Sequence, residues 1–290
     1  MTTNILEQFS AALIERAASM QPAVAAIGRL SAFLWQADIA ITSEQSLRGR
    51  DEYELVTAAG ALKAKLAGRD AGTNIAVLRL ERSLDLPVWT AAEAAVGAIA
   101  VAYGADGGGG VRARIGIVNT VGGEWASSAG GRLDRYVALD INLARAEEGG
   151  PVLDASGRLL GMSTFGPRGR VLVIPAATIA RVVPTLAAEG RITRGWLGVG
   201  LQPVAVPEPL HEQAGQRAGA MVMSLAADGP AAKAGIVAGD IVLSVNGTPA
   251  YRLRRIAAAL GEVGRAAELR LIRGGAVLSV QATIEARPAA

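Results

Sequence analysis

The chain contains no cysteine, which removes disulfides, cysteine nucleophiles and zinc–thiolate sites. It has a single histidine, His211, and only three lysines, Lys63, Lys65 and Lys233. Its other basic residues are arginines spread along the chain. No run of five like charges and no basic stripe interleaved with aromatics occurs, so nucleic-acid binding is not expected despite a net charge of +3. Aromatics make up only 4% of the residues, so the core must be built from Val, Ile, Leu and Ala. No stretch reaches the roughly 20 apolar residues of a membrane-spanning helix; the most apolar, from Ala91 to Tyr103, is short and carries Glu93. The first twenty residues lack a basic start followed by an apolar block, and Glu7 and Glu15 interrupt them, so no signal peptide is read there. The expected compartment is the cytoplasm if Met1 is the native start, with the periplasm or cell envelope as the alternative.

What is present is glycine and short apolar runs. The 290 residues suit two ordinary domains, and 36 are glycine. Residues 4–20 place Ile5, Leu6, Phe9, Ala12, Leu13 and Ala17 at helical spacing, a helix ended before Pro22 and expected to pack within the chain. From Ala23 to about Ala177 the pattern shifts to β-type runs, among them AVAAIG, FLWQADIAIT, IAVLRLE, GAIAVAYG, RIGIVNTV, RYVALDIN, LLGMSTF and RVLVIP. Runs at that spacing predict a barrel or a sandwich. The Gly104–Gly110 stretch reads as a flexible loop; no GK[ST] follows it, so it is not a phosphate cradle. After Pro175, AATIARVVPTLAAEG reads as a helix closed by Gly190. A second unit follows, with strands LGVGLQPV, GAMVMSL, DIVLSVNG, ELRLIRG and VLSVQATI, a short helix at Ala231–Ala234, a longer one at Leu253–Gly261 and a turn at Asn246–Gly247.

These blocks, in this order, resemble the HtrA/Deg family of trypsin-like serine proteases with a C-terminal PDZ domain. ALIERAASMQPAVAAIG is similar to the family's entry, RVLVIPAATIARVVPTLAAEGRITRGWLGV to its passage into the PDZ domain, and GPAAKAGIVAGDIVLSVNG is the most specific match. The resemblance implies a mostly β fold: a helical segment over 1–22, a chymotrypsin-like double β-barrel over 23–190 and a PDZ domain over 195–286.

Serine-protease catalysis needs a nucleophilic hydroxyl, an imidazole base and a carboxylate that orients the base. The family's histidine lies in TNxH; here the segment is ITSEQSL, with Gln45 in its place. An amide does not accept a proton near neutral pH. DAGTNIAVLRL puts Asn74 at the aspartate position, and AEEGGPVLD puts Glu148 at the serine position. The resemblance thus implies a catalytically degenerate member. Ala146 and Glu148 fall where the family's oxyanion-hole donors lie, and the Glu148 carboxylate is expected to fold onto those N–H groups or to pair with Arg145. His211 is expected in an exposed loop. Ser127 and Ser128 echo a Ser-Gly-Gly motif but lie upstream. Glu147, Glu148 and Asp154 are read as surface or site-plugging carboxylates rather than an acid–base pair. No metal site and no cofactor are expected.

A PDZ domain binds an extended peptide by adding it to a sheet edge. The resemblance implies carboxylate capture at Trp196-Leu197-Gly198-Val199, with charge from Arg194, pairing along Val199–Leu201, and Ile256 and Leu260 lining the side-chain pocket. The implied partners are peptide or protein C-termini, with a homotrimer formed through the N-terminal segment around Phe9. The reading is a non-catalytic peptide binder acting as scaffold, chaperone or regulator. Its alternatives are an endopeptidase with atypical or residual activity, and a regulatory subunit in mixed oligomers with active relatives.

Overall fold

The computed structural model describes residues 4–127, 129–260 and 263–286, without the side chains of 254, 257 and 258. The chain divides into two units, Met1–Trp125 with Gly131–Ile192, and Ala126–Gly130 with Thr193–Ala290.

The first unit opens with α1 (Ile5–Met20), whose Asn4 side chain accepts from the Leu6 N–H and whose Glu7 reaches back to the Asn4 N–H. The six strands β1 (Val24–Ile27), β2 (Leu30–Gln36), β3 (Ile39–Ser43), β4 (Glu52–Thr57), β5 (Gly60–Asp70) and β6 (Ile75–Leu80) close a barrel in the order β1-β2-β3-β6-β5-β4. Next come β7 (Ile99–Ala105), β8 (Val111–Gly122), the short β9 (Trp125–Ala126) and β10 (Arg132–Leu133), β11 (Tyr136–Asp140), β12 (Pro151–Asp154), β13 (Leu159–Phe165) and β14 (Val171–Pro175). Of these, β11-β14-β13-β12-β7-β8 close a second barrel. The mostly β, chymotrypsin-like reading holds.

Strands with one face to water alternate inward apolar and outward polar side chains, as strand geometry requires, whereas β1, β3 and β14 are buried on both faces. In β4, Tyr53 and Leu55 point in while Glu52 and Glu54 are exposed. A third apolar layer joins the barrels: Phe33 and Ile41 from the first, Tyr103, Leu153 and Met162 from the second, and Ile179, Val182 and Leu186 of α2 (Ala176–Glu189). Gly190 ends that helix at φ 76°, as expected.

Two expectations need correction. Only the second half of α1 packs within the unit, through Leu13, Ala17 and Met20. Ile5, Leu6, Phe9 and Ile14 are exposed, at 77%, 70%, 43% and 68%. The apolar face runs on past the barrel surface available to it. The Gly104–Gly110 stretch is not a loose loop either. Gly104 and Ala105 end β7, and the Asp106 carboxylate accepts the Gly108 and Gly110 N–H groups at 2.8 and 2.9 Å.

The second unit is a five-strand path, β16 (Val199–Ala205), β17 (Ala218–Leu225), β18 (Ile241–Val245), β20 (Ala266–Arg273) and β21 (Ala276–Thr283), with β19 (Thr248–Pro249) paired to β18. The short β15 (Gly195–Trp196) pairs with β22 (Glu285–Ala286). Helices α3 (His211–Ala214), α4 (Pro230–Lys233) and α5 (Leu253–Ala259) complete it. The Gly261 end expected for α5 lies outside the described residues, as does Ser128. His211 is not in an exposed loop. It starts α3, half-buried, with Nε2 2.8 Å from the Val206 carbonyl oxygen, because the β16–β17 connection folds back as a helical turn.

Candidate functional site

Gln45, Asn74 and Glu148, far apart in sequence, meet where the two barrels face each other. Gln45 sits in a 3-10 turn, Glu44–Ser46, directly after β3. Asn74 enters β6 from a turn fixed by Asp70, whose carboxylate accepts from the Gly72 and Thr73 N–H groups and the Thr73 hydroxyl. Asn74 itself lies at φ 58°, a left-handed conformation that Asn tolerates better than most residues. Glu148 follows a second 3-10 turn, Arg145–Glu147.

Glu148 is buried, with 2% of its surface exposed. Its Oε1 accepts from Ser43 Oγ at 2.8 Å, Gln45 Nε2 at 2.7 Å, Thr164 Oγ1 at 3.0 Å and the Phe165 N–H at 3.3 Å. Its Oε2 accepts from Ser46 Oγ at 2.6 Å. Burial pushes the carboxyl up, but the hydrogen bonds from Ser46, Gln45, Ser43 and Thr164 outweigh it and hold Glu148 below its ordinary value. Asn74 closes the ring. Its Nδ2 donates to Thr164 Oγ1 at 2.6 Å and to Ser43 Oγ at 3.0 Å, and its Oδ1 accepts the Gln45 N–H at 2.7 Å. The hydroxyl protons of Ser43, Ser46 and Thr164 are therefore all spent on one carboxylate, and no imidazole stands beside any of them.

The expectation for the Glu148 carboxylate is corrected. It neither pairs with Arg145 nor folds onto the N–H groups of 146 and 148. The Glu148 N–H donates to the Arg145 carbonyl at 3.3 Å, closing its own turn. The facing elements offer the carboxylate four side-chain donors, a stronger set than two amides. Ala146 presents its carbonyl to Ser31 Oγ at 2.6 Å, and the Ser31 N–H donates to the Glu148 carbonyl at 3.0 Å. Ser31 thus clamps the turn from β2.

Glu147 is not a surface carboxylate. It is buried, accepts Arg114 Nε at 3.0 and 3.1 Å, and caps its own turn by accepting the Ala144 N–H at 2.8 Å. Gly104 makes room for it, since a Cβ there would come within 2.8 Å of the Glu147 Cα. Asp154 is turned away onto Arg158 and the 156–158 backbone. Among the described residues no group of acidic or imidazole side chains is arranged to hold a metal ion.

Ser43 and Ser46 flank Gln45 within ITSEQSL, so their proximity was readable. Ser31 and Thr164 carried no signal, being ordinary hydroxyls inside apolar strands.

In the second unit β16 is an edge strand, paired along one side with β17. Leu197, Ile256 and Leu260 are buried in one apolar cluster, with Val199 and Leu201 packed against it. Gly198 takes φ 74°, and a Cβ there would lie 3.1 Å from the Trp196 ring. The Leu197 and Gly198 carbonyls accept from Ala231 and Ala226. Arg194 Nε donates to the Gly130 carbonyl at 3.2 Å.

Residues 30–162 match the trypsin-like peptidase domain family and residues 221–273 the PDZ domain family. The chain is 33% identical over 261 residues to the "Probable periplasmic serine endoprotease DegP-like" of Brucella suis biovar 1 (strain 1330), covering 86% of this chain and 50% of the relative. It is 34% identical over 240 residues to the protein of that name in Rhizobium meliloti (strain 1021), covering 78% and 47%. The chain thus spans about half the length of the curated relatives it matches. Among solved structures, the HtrA-type protease AlgW with tripeptide superposes with a TM-score of 0.74 at 26% identity, covering 97% of this chain and 98% of that one.

Proposed function

From a chain that joins a trypsin-like peptidase domain to a PDZ domain and has DegP-like and HtrA-type relatives, we propose a peptide-binding protein that has given up hydrolysis. Gln45, Asn74 and Glu148 stand for the His, Asp and Ser of a catalytic triad. The observation that carries the reading is the closed network around Glu148: a buried anion held by Ser43, Gln45, Ser46, Thr164 and Phe165. Nothing in it supplies a base for a hydroxyl nucleophile. The former oxyanion position is also occupied, because the Glu148 N–H is bonded to Arg145.

Binding then falls to the PDZ edge strand β16 and to the cleft between the barrels. A C-terminal carboxylate is received by the amides around Gly198, the ligand adds as a strand beside Val199–Leu201, and Leu197, Ile256 and Leu260 take its last apolar side chain. Unfolded segments lie in the cleft. The exposed Ile5, Leu6 and Phe9 of α1 favour a homotrimer, or a mixed oligomer with active relatives in which this chain is the regulatory subunit. The names of the relatives favour the periplasm over the cytoplasm expected from the N-terminal sequence.

The test is casein cleavage and fluorophosphonate labelling by the purified chain, run beside titration with a peptide ending in a free apolar C-terminus and with its amidated form. The expected result is no cleavage, no label, and binding of the free-carboxylate peptide alone. Cleavage that a Glu148→Ala variant abolishes overturns the non-catalytic reading. Equal binding of the amidated peptide overturns the PDZ assignment.

A further inference from the structure

Four arginines from three loops of the peptidase unit line one trough. Arg29 stands on the turn between β1 and β2, Arg48 and Arg50 follow the Glu44–Ser46 turn, and Arg145 opens the turn before Glu148. A cavity of about 610 Å³ takes in Arg29, Arg48 and Arg50. The next, about 570 Å³, shares Arg29 with it and adds Arg145. A third, about 580 Å³, continues from Arg145 past Gln45 and Ser46 to Leu143 and Phe165. Its lining thus carries four arginines beside the carboxylates of Glu52, Glu54, Asp106 and Glu148, with Leu143 and Phe165 at one end.

The Arg48–Arg50 segment is held in place. The buried Tyr53 donates its hydroxyl to the Arg48 carbonyl and accepts the Arg50 N–H at 3.0 Å. Arg29, Arg48, Arg50 and Arg145 are exposed and make no ion pair among the described residues. Three of the four acidic groups on the trough have other partners. Glu148 is spent on its five donors. Asp106 holds the Gly108 and Gly110 amides. Glu52 lies 3.7 Å from Lys65, and Glu54 stands opposite Lys63 in the β4–β5 register.

Four unpaired cations on fixed loops, with Glu52, Asp106 and Glu148 already partnered, make a surface that selects anions. We infer that this trough selects acidic peptide segments, its four arginines reading Asp and Glu side chains beside an apolar residue seated at the Leu143–Phe165 end. The inference rests on the reading of the inter-barrel cleft as a peptide site. A peptide fits better than a bare polyanion because Leu143 and Phe165 beside Arg145 offer an apolar side chain a contact that a polyanion leaves unused.

Exposed charge pairs contribute about two- to fivefold each in affinity, so three of them give about tenfold or more, and salt weakens the effect. The experiment is fluorescence anisotropy on the full chain with a short labelled peptide holding one Leu beside several Asp and Glu. A second peptide carries Asn and Gln in their place. Both have amidated C-termini, which denies the PDZ domain a carboxylate. The acidic peptide is expected to bind about tenfold tighter at low salt. That advantage should vanish in Arg29→Ala/Arg48→Ala/Arg50→Ala/Arg145→Ala and persist largely in the matching Arg→Lys variant, which controls for folding. Equal affinity of the two peptides overturns this inference and leaves the cleft reading standing. Binding of neither overturns both. Polyphosphate that binds as tightly and displaces the acidic peptide overturns the assignment to a peptide.

Discussion

Replacing Glu148 with alanine should loosen the contact between the barrels, and the size of the loss follows from the donors left behind. Five groups lose their acceptor: Ser43 Oγ, Ser46 Oγ, Gln45 Nε2, Thr164 Oγ1 and the Phe165 N–H. Gln45 keeps the Phe165 carbonyl at 3.0 Å, and Ser43 can turn to Asn74 Oδ1 at 3.3 Å. Ser46, Thr164 and the Phe165 N–H have no such fallback among these bonds. Two orphaned hydroxyls and one orphaned backbone N–H cost about 1–3 kcal/mol each, and water entering the space the carboxylate leaves lowers the sum toward the bottom of that range, so Glu148→Ala should destabilise the unit by about 2–4 kcal/mol. Urea unfolding in a Trp196→Phe background reads Trp35, Trp89 and Trp125 of this unit alone. With a slope of about 2 kcal/mol per molar, the midpoint should fall by about 1–2 M. The pH dependence adds a second reading. Glu148 is held below its ordinary value when folded, so its contribution is present above the unfolded carboxylate pKa of about 4.3 and lost as pH falls through the folded value. Glu148→Gln should flatten that acid limb. A midpoint shift under about 0.3 M at unchanged slope, with an unaltered acid limb, refutes the claim that this network holds the barrels together.

Three further outcomes are expected. The variant Gln45→His/Asn74→Asp/Glu148→Ser should stay inert in casein cleavage and fluorophosphonate labelling, because the 148 N–H is committed to Arg145. Adding Ala146→Gly should be needed before labelling appears, and labelling of the triple variant alone refutes the point. Tyr103→Phe should raise stability by about 1 kcal/mol, since the buried hydroxyl has no partner among the described residues and burial pushes its pKa up to about 12. A loss of stability in thermal unfolding counts against it. Gly198→Ala should weaken binding of a free C-terminal peptide about tenfold or more, because φ 74° strains any Cβ and the Trp196 ring stands 3.1 Å away. Isothermal titration that finds unchanged affinity removes Gly198 from the ligand loop.

The parts of the fold that the sequence makes legible are those with strong local chemistry. Val- and Ile-rich runs such as RVLVIP and IAVLRLE become β14 and β6, and Gly190 closes α2. The β4–β5 hairpin is faint, because β5 is written in Ala, Gly and Lys, which form strands poorly; burial of Leu62 and Ala64 overrides that preference. The meeting of Gln45, Asn74 and Glu148 came from family order alone, since no local pattern links a turn after β3 to one before β12. What Glu148 bonds to could not be read from sequence. It depends on Thr164 facing inward from β13, and strand facing is settled only when the barrel closes.

Helix α2 is the last element of the peptidase unit, yet Ile179, Val182 and Leu186 share a core with Phe33 and Ile41 of one barrel and Tyr103 and Met162 of the other. On the ribosome, both barrels therefore emerge before the piece that seals them together. Until Glu189 clears the exit tunnel, an apolar seam on each barrel faces water, and the nascent chain is open to chaperones or to misassembly. Truncations that stop short of residue 176 should accordingly aggregate, even though every strand of both barrels has been made.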